Sequence, residues 1–191
     1  MKLTPFIVKN IIAPHGITDI SHALMTNRNK ELFLLNLFNV GLAETIVTPF
    51  SLSNHYDVIF FIATIIHFKN DFSNIKIKNF VFPKYISSAL FIAICLLINK
   101  VIPYNLGYDI LLGYMTIIHV PNHYRENWFH IKKDLVLNFL IMMFTIAFFN
   151  GISDSFPELM DNIYMINAGK AIIISHIFYQ EKYIKNNQSV F

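Results

Sequence analysis

The segment KDLVLNFLIMMFTIAFFN at positions 133–150 decides how this chain folds. After Lys133 and Asp134 it carries no charged side chain up to Asn150. An apolar stretch of this length, once helical, matches the hydrocarbon thickness of a lipid bilayer. The segment therefore predicts a transmembrane helix.

The rest of the chain has the same apolar character. Of its 191 residues, 54% are hydrophobic and 14% are charged, and the mean hydropathy is +0.47. A soluble domain of this size would carry about 25% charged residues. We predict an all-α fold, a polytopic transmembrane helix bundle that forms a single integral membrane domain over residues 1–191. The predicted spans are separated by short polar breaks and lie at 32–50, 55–68, 83–102, 105–122, 133–150 and 163–180.

The basic residues fall on one side of this map. With a cytoplasmic N-terminus, the cytoplasmic side holds all 15 Lys and Arg residues except Lys100 and Lys170. This asymmetry follows the positive-inside rule and predicts a multi-pass protein with both termini in the cytoplasm. Segment 11–26 is too short and too polar for a span, so we predict an interfacial or half-buried helix there. The net charge of +3 is small, and the expected partner is the lipid bilayer, with no nucleic acid.

Six of the eight histidines are predicted to lie at one depth near the cytoplasmic face. A histidine within a membrane is costly to bury unless it is paired or functional, so this convergence predicts a site. The competing interpretation is that each histidine anchors a helix end at the lipid headgroups. Imidazole ligands without thiolates suit iron, copper, zinc or nickel, and apolar surroundings favour oxidation of a hydrocarbon substrate. The six are His15, His22, His67, His119, His123 and His176.

The spacing of these histidines supports a metal site. His119 and His123 have the i, i+4 spacing that directs two imidazoles from one helix towards one ion. Asp19 shares a predicted helical face with His15, and Asp71 follows His67 by four residues. A carboxylate of this kind can bond the far nitrogen of a ligand histidine and fix its tautomer.

Three further residues are candidates for supporting roles. Glu44 lies in the middle of a predicted span, where it could orient a ligand, relay protons or form a structural hydrogen bond. His22 could support the site or face the adjoining loop. We expect His176 to be buried with a hydrogen-bond partner and to line a substrate cavity.

Four short motifs occur in order along the chain. PHGITD at 14–19 matches a PHGxxD pattern, and HVPNH at 119–123 matches HxxxH. IHFKND at 66–71 resembles an HFxxxD pattern, with two residues instead of three between Phe68 and Asp71. SHI at 175–177 adds a further histidine. The ordered set resembles the Brp/Blh family, the membrane-bound β-carotene 15,15′-dioxygenases of prokaryotes.

The resemblance implies a function and a ligand set. It implies that His15, His67, His119 and His123 hold one ferrous ion, Fe(2+). The implied reaction is oxidative cleavage of a lipophilic polyene, β-carotene, by O2 to give retinal. The resemblance also implies a functional link to a retinal-binding rhodopsin.

Two other functions remain open on the residues alone. One is a di-iron membrane lipid desaturase or hydroxylase, although such enzymes usually contain adjacent histidine pairs and this sequence has no HH. The other is a non-enzymatic membrane protein that binds haem between two histidines or carries a metal. Metal content and spectroscopy distinguish all three.

Overall fold

The structure is a computed structural model that describes residues 8–73, 76–77, 80–81, 83–102, 106–158 and 162–184. The described residues are helical apart from short turns and one pair of two-residue strands. These strands, β1 (Lys76–Ile77) and β2 (Phe80–Val81), pair antiparallel with Lys76 opposite Val81. The all-α prediction is therefore confirmed.

The described residues form ten α-helices, two of which begin at side chains that cap the first turn. The Asp134 carboxylate accepts from the Leu137 N–H, and the Asn162 side-chain oxygen accepts from the Tyr164 N–H, each at 2.8 Å. In chain order the helices are α1 (Ala13–His15), α2 (Ile17–Met25), α3 (Asn29–Leu42), α4 (Ser53–Ser73), α5 (Lys84–Val101), α6 (Leu106–Tyr114), α7 (Val120–Glu126), α8 (Trp128–Ile131), α9 (Leu135–Ser155) and α10 (Ile163–Tyr179).

Wider turns of π-helix adjoin several of these helices. In such a turn each backbone N–H bonds five residues back, and π-turns occur frequently at functional sites. Because they adjoin α-helices, they lengthen α3, join α6 to α7 and extend α10. Among the described residues, the π-turns lie at Val8–Ile12, Ala43–Val47, Met115–His119 and Gln180–Ile184.

Each of the six predicted spans coincides with a helical stretch, and two of the helices stand out. Helices α5 and α9 are long and apolar enough to cross a membrane. The core helix of a soluble protein can pass the same test, but it would be mostly buried. Here only 17% of the apolar window of α5 and 6% of that of α9 are buried. The two helices therefore present apolar side chains to their surroundings, which favours a membrane over a soluble core.

The chain divides into two compact units. Unit 1 comprises Met1–His15 and Thr64–Glu126, and unit 2 comprises Gly16–Ala63 and Asn127–Phe191. Whether they act as one domain, as the sequence predicts, stays a prediction.

Unit 1 has a core of aromatic rings and one close helix contact. The ring of Tyr114 stacks on Phe72 at a centroid distance of 5.5 Å and lies 4.5 Å from that of Phe91. Helix α6 approaches α5 at Gly107, where an added Cβ would lie 1.9 Å from the Cys95 carbonyl oxygen. Only glycine permits this approach of the two backbones.

Unit 2 is built around the packing of α3 and its π-turn against α10. Ala43 and Ala171 are completely buried at this contact, and their small side chains let the helices approach closely. Polar pairs flank them. Asn39 donates to the Ser175 hydroxyl at 2.9 Å, and Asn167 donates to the Thr48 hydroxyl at 3.0 Å.

Candidate metal centre

Three of the predicted ligands meet in unit 1. The ligand nitrogens of His15, His67 and His123 lie within 4.8 Å of one another. His15 ends α1, His67 lies in α4 and His123 lies in α7, so three separate stretches of chain supply them. All three side chains are buried.

The fourth predicted ligand, His119, lies beside this group. It is the last residue of the π-turn Met115–His119 and is buried. Its ring centroid is 4.7 Å from that of His67 and 5.4 Å from that of His15. The structure thus places the ring of His119 near those of His15 and His67, but His119 is not in the group whose ligand nitrogens lie within 4.8 Å of one another. Its role as a ligand stays a prediction.

Two of these rings are oriented through Nδ1. Nδ1 of His15 donates to the backbone carbonyl of Ile12, and Nδ1 of His119 lies 2.7 Å from Oδ2 of Asp71. A carbonyl or an ionised carboxylate only accepts, so Nδ1 carries the proton in both rings. The ligating lone pair is then on Nε2. Metal-binding histidines almost always have their second nitrogen held in this way.

The carboxylate of Asp71 is the centre of a buried network in unit 1. Besides His119, it accepts from the Tyr114 hydroxyl at 2.7 Å and from the Asn122 amide at 3.3 Å. Burial by itself would raise the pKa of Asp71, which lies beyond the predicted span 55–68. The hydrogen bonds from His119, Tyr114 and Asn122 oppose the effect of burial, and this pKa lies below its usual value. Asp71 therefore remains ionised.

Asp19 makes the corresponding arrangement in unit 2. Its Oδ2 is 2.7 Å from Nδ1 of His176, and its Oδ1 accepts from the side-chain amide of Gln180. His22, buried in the same unit, is hydrogen-bonded through Nδ1 to the Tyr179 hydroxyl at 3.0 Å. The histidine that Asp19 orients is therefore His176.

Glu44 lies in the π-turn Ala43–Val47 of unit 2. Its Oε1 is buried and has no hydrogen-bond partner among the described residues. Its predicted role as an orienting group or proton relay stays a prediction.

Sequence reasoning did not identify Tyr114, Asn122 and Gln180 as supporting residues. Asn122 could have been found, because it lies inside the HVPNH motif and next to a ligand. Gln180 follows His176 by four residues, a spacing that places both on one helical face. Tyr114 has no comparable signal, since it precedes His119 by five residues.

The arrangement in unit 1 fits a metal ion. Histidine nitrogens bind zinc at about 2.0–2.1 Å, so two nitrogens on one ion are at most about 4.2 Å apart. The ligand nitrogens of His15, His67 and His123 lie within 4.8 Å of one another, about 0.6 Å more than that value. Small side-chain rotations can bring the nitrogens this much closer. This group of buried histidines could hold a divalent metal, and neutral imidazoles suit iron, copper, nickel and zinc alike.

No protein-family model, curated protein or solved structure matches the chain. Its function therefore has to be argued from the histidine site itself.

Proposed function

We propose that this protein is a membrane-embedded, non-haem iron-dependent oxygenase that cleaves a carotenoid, β-carotene, with O2 to give retinal. The observation that carries the proposal is the meeting of His15, His67 and His123 in unit 1, with the ring of His119 beside that of His67. Their motifs resemble those of the Brp/Blh family in kind and in order.

The proposal includes the membrane arrangement inferred from the sequence, with six spans and both termini in the cytoplasm. Large apolar side chains that are mostly exposed support the membrane location, which is the coarser part of this arrangement. Phe38 is 68% exposed, Phe144 69% and Ile117 75%. Water would oppose such a surface, whereas lipid chains solvate it. A substrate dissolved in the bilayer would reach the protein from the same phase.

The residues of unit 1 have separate roles in this proposal. The four histidines hold the metal as neutral ligands, and Asp71 and the Ile12 carbonyl keep two of the rings in the ligating tautomer. Burial of the site excludes water from the reacting groups. When bound, the ferrous ion would supply the means of using O2 to oxidise a conjugated double bond.

The test is expression of the full chain in cells that accumulate β-carotene, with chromatography of the extracted pigments. The expected result is loss of β-carotene and appearance of retinal. His123→Ala should leave the pigment unchanged, while His55→Ala, at an exposed position, should behave like the original chain. Unchanged β-carotene with a folded, iron-loaded protein would overturn the proposed substrate.

Metal content separates the proposed function from its alternatives. The proposal requires one iron per chain and no haem absorption. Two irons per chain would favour a desaturase or hydroxylase, and a Soret band would favour a haem protein. Metal binding with transport but without oxidation would favour a carrier.

A further inference from the structure

One oxygen atom of Asp71 receives two hydrogen bonds. The Tyr114 hydroxyl and Nδ1 of His119 both lie 2.7 Å from Oδ2. Tyr114, His119 and Asp71 are all buried. We infer that Tyr114 is a positioning residue for the proposed metal site, because it holds Asp71 where that carboxylate fixes His119 in the tautomer that ligates through Nε2. The inference rests on the proposed function.

The donors and acceptors of the network permit one assignment. A carboxylate offers lone pairs only, so the tyrosine hydroxyl and the histidine Nδ1 must both donate to Oδ2. Asn122 donates to Oδ1 and restrains the other end of the carboxylate. Because both oxygens have donors, rotation of the carboxylate away from His119 would also break the bonds from Tyr114 and Asn122.

The contribution of the Tyr114 hydroxyl can be tested separately from the packing of its ring. The ring packs against Phe68, Phe72 and Phe91 at centroid distances of 5.2, 5.5 and 4.5 Å. A phenylalanine at position 114 would keep these apolar contacts and remove only the hydrogen bond to Asp71. Tyr114→Phe is therefore a clean test of positioning, because the packing of unit 1 is retained.

The expected change in metal affinity follows from what is known of residues that orient metal ligands. Residues that orient the ligands of a metal site contribute roughly 10- to 100-fold to metal affinity when they are removed. Loss of the Tyr114 hydroxyl leaves Asn122 on Oδ1, so the carboxylate is only partly released from its position against His119 and we expect the lower end of this range. Asp71→Asn removes the charged acceptor and should approach the upper end.

The first measurement is the dissociation constant for Co²⁺ added to the metal-free, detergent-solubilised full chain. Tyr114→Phe should weaken binding about tenfold and Asp71→Asn about 100-fold. Tyr108→Phe is the matched control, because Tyr108 is exposed on the same helix, α6, and should bind like the original chain. Thermal unfolding without metal checks that each variant is folded.

The second measurement needs no metal. Nitrogen-15 NMR of labelled histidines reports which ring nitrogen carries the proton, and the His119 signals are assigned by their loss in His119→Gln. The expected result is an Nδ1–H tautomer in the original chain and in Tyr108→Phe, with a loss of that preference in Tyr114→Phe.

An unchanged tautomer, or Co²⁺ affinity within twofold of the original, in folded Tyr114→Phe would overturn the inference. If the original chain binds no metal, the proposed function fails, and the tautomer measurement alone then decides whether Tyr114 positions His119. The two failures are therefore distinguishable.

Discussion

The two units both bury polar side chains, but they use them differently. In unit 2, Asn39 and Asn167 donate to hydroxyl groups across the contact between α3 and α10, so donors on one helix match acceptors on the other. In unit 1, separate stretches of chain present the same kind of atom, an imidazole nitrogen, to one place. Complementary pairs stabilise packing, whereas repeated ligands of one kind are typical of metal sites.

A carboxylate–imidazole pair occurs in each unit and sharpens the comparison. Asp71–His119 in unit 1 and Asp19–His176 in unit 2 both have 2.7 Å between a carboxylate oxygen and Nδ1. Each carboxylate also accepts from a side-chain amide. The pair in unit 1 adds a tyrosine hydroxyl on the same oxygen. The carboxylate in unit 1 thus has one side-chain donor that its counterpart in unit 2 does not share.

The largest expected effect is the loss of a ligand in unit 1. Binding free energies of roughly 10–16 kcal/mol for four-ligand sites divide into about 3 kcal/mol per ligand. His67→Ala should therefore weaken Co²⁺ binding roughly 100-fold. Metal-induced stabilisation against thermal unfolding should fall accordingly. His55→Ala is the control. Equal Co²⁺ affinity in His67→Ala and His55→Ala would contradict the view that the histidines of unit 1 form a metal site.

An intermediate effect is expected where α5 and α6 touch in unit 1. Gly107→Ala places a Cβ against the Cys95 carbonyl and should destabilise the fold by about 1–3 kcal/mol. Gly113→Ala, on the same helix, has open space around the new Cβ and should be neutral or slightly stabilising. Thermal unfolding of the metal-free chain measures both. Equal stability of the two variants would contradict the close contact.

The smallest effect is expected at the polar contact in unit 2. Asn167→Ala removes the hydrogen bonds to Thr48 and Ser53, each at 3.0 Å, and should cost about 0.6–1.7 kcal/mol of stability. Because this contact serves packing only, the Co²⁺ dissociation constant should not change. A weakening comparable to that of His67→Ala would show that metal binding also depends on unit 2.

Much of the fold and part of the site could be predicted from the sequence. Apolar runs located the helices, because their periodicity and length depend on local composition. The histidines that meet in unit 1 lie in recognisable motifs. The partner of Asp19 could not be predicted, because α1 ends at His15 and α2 begins at Ile17 after a turn at Gly16. A single helical face through both segments is therefore interrupted.

The contact of Tyr114 with Asp71 could not be predicted for a different reason. In a regular α-helix, residues five apart point about 140° away from each other, so Tyr114 and His119 would not share a partner. The π-turn Met115–His119 widens the helix at this place. Its wider spacing lets both side chains reach the same oxygen of Asp71. Hydrophobic pattern alone carries no sign of such a turn.

The hydrogen bond from His15 to the Ile12 carbonyl has a consequence for variation of this protein. The acceptor belongs to the main chain, so no replacement of the Ile12 side chain can delete it. Asp71, by contrast, can be lost through a single codon change. Over generations, the orientation of His15 should therefore tolerate substitutions nearby, provided that the path of the backbone between the two residues is kept.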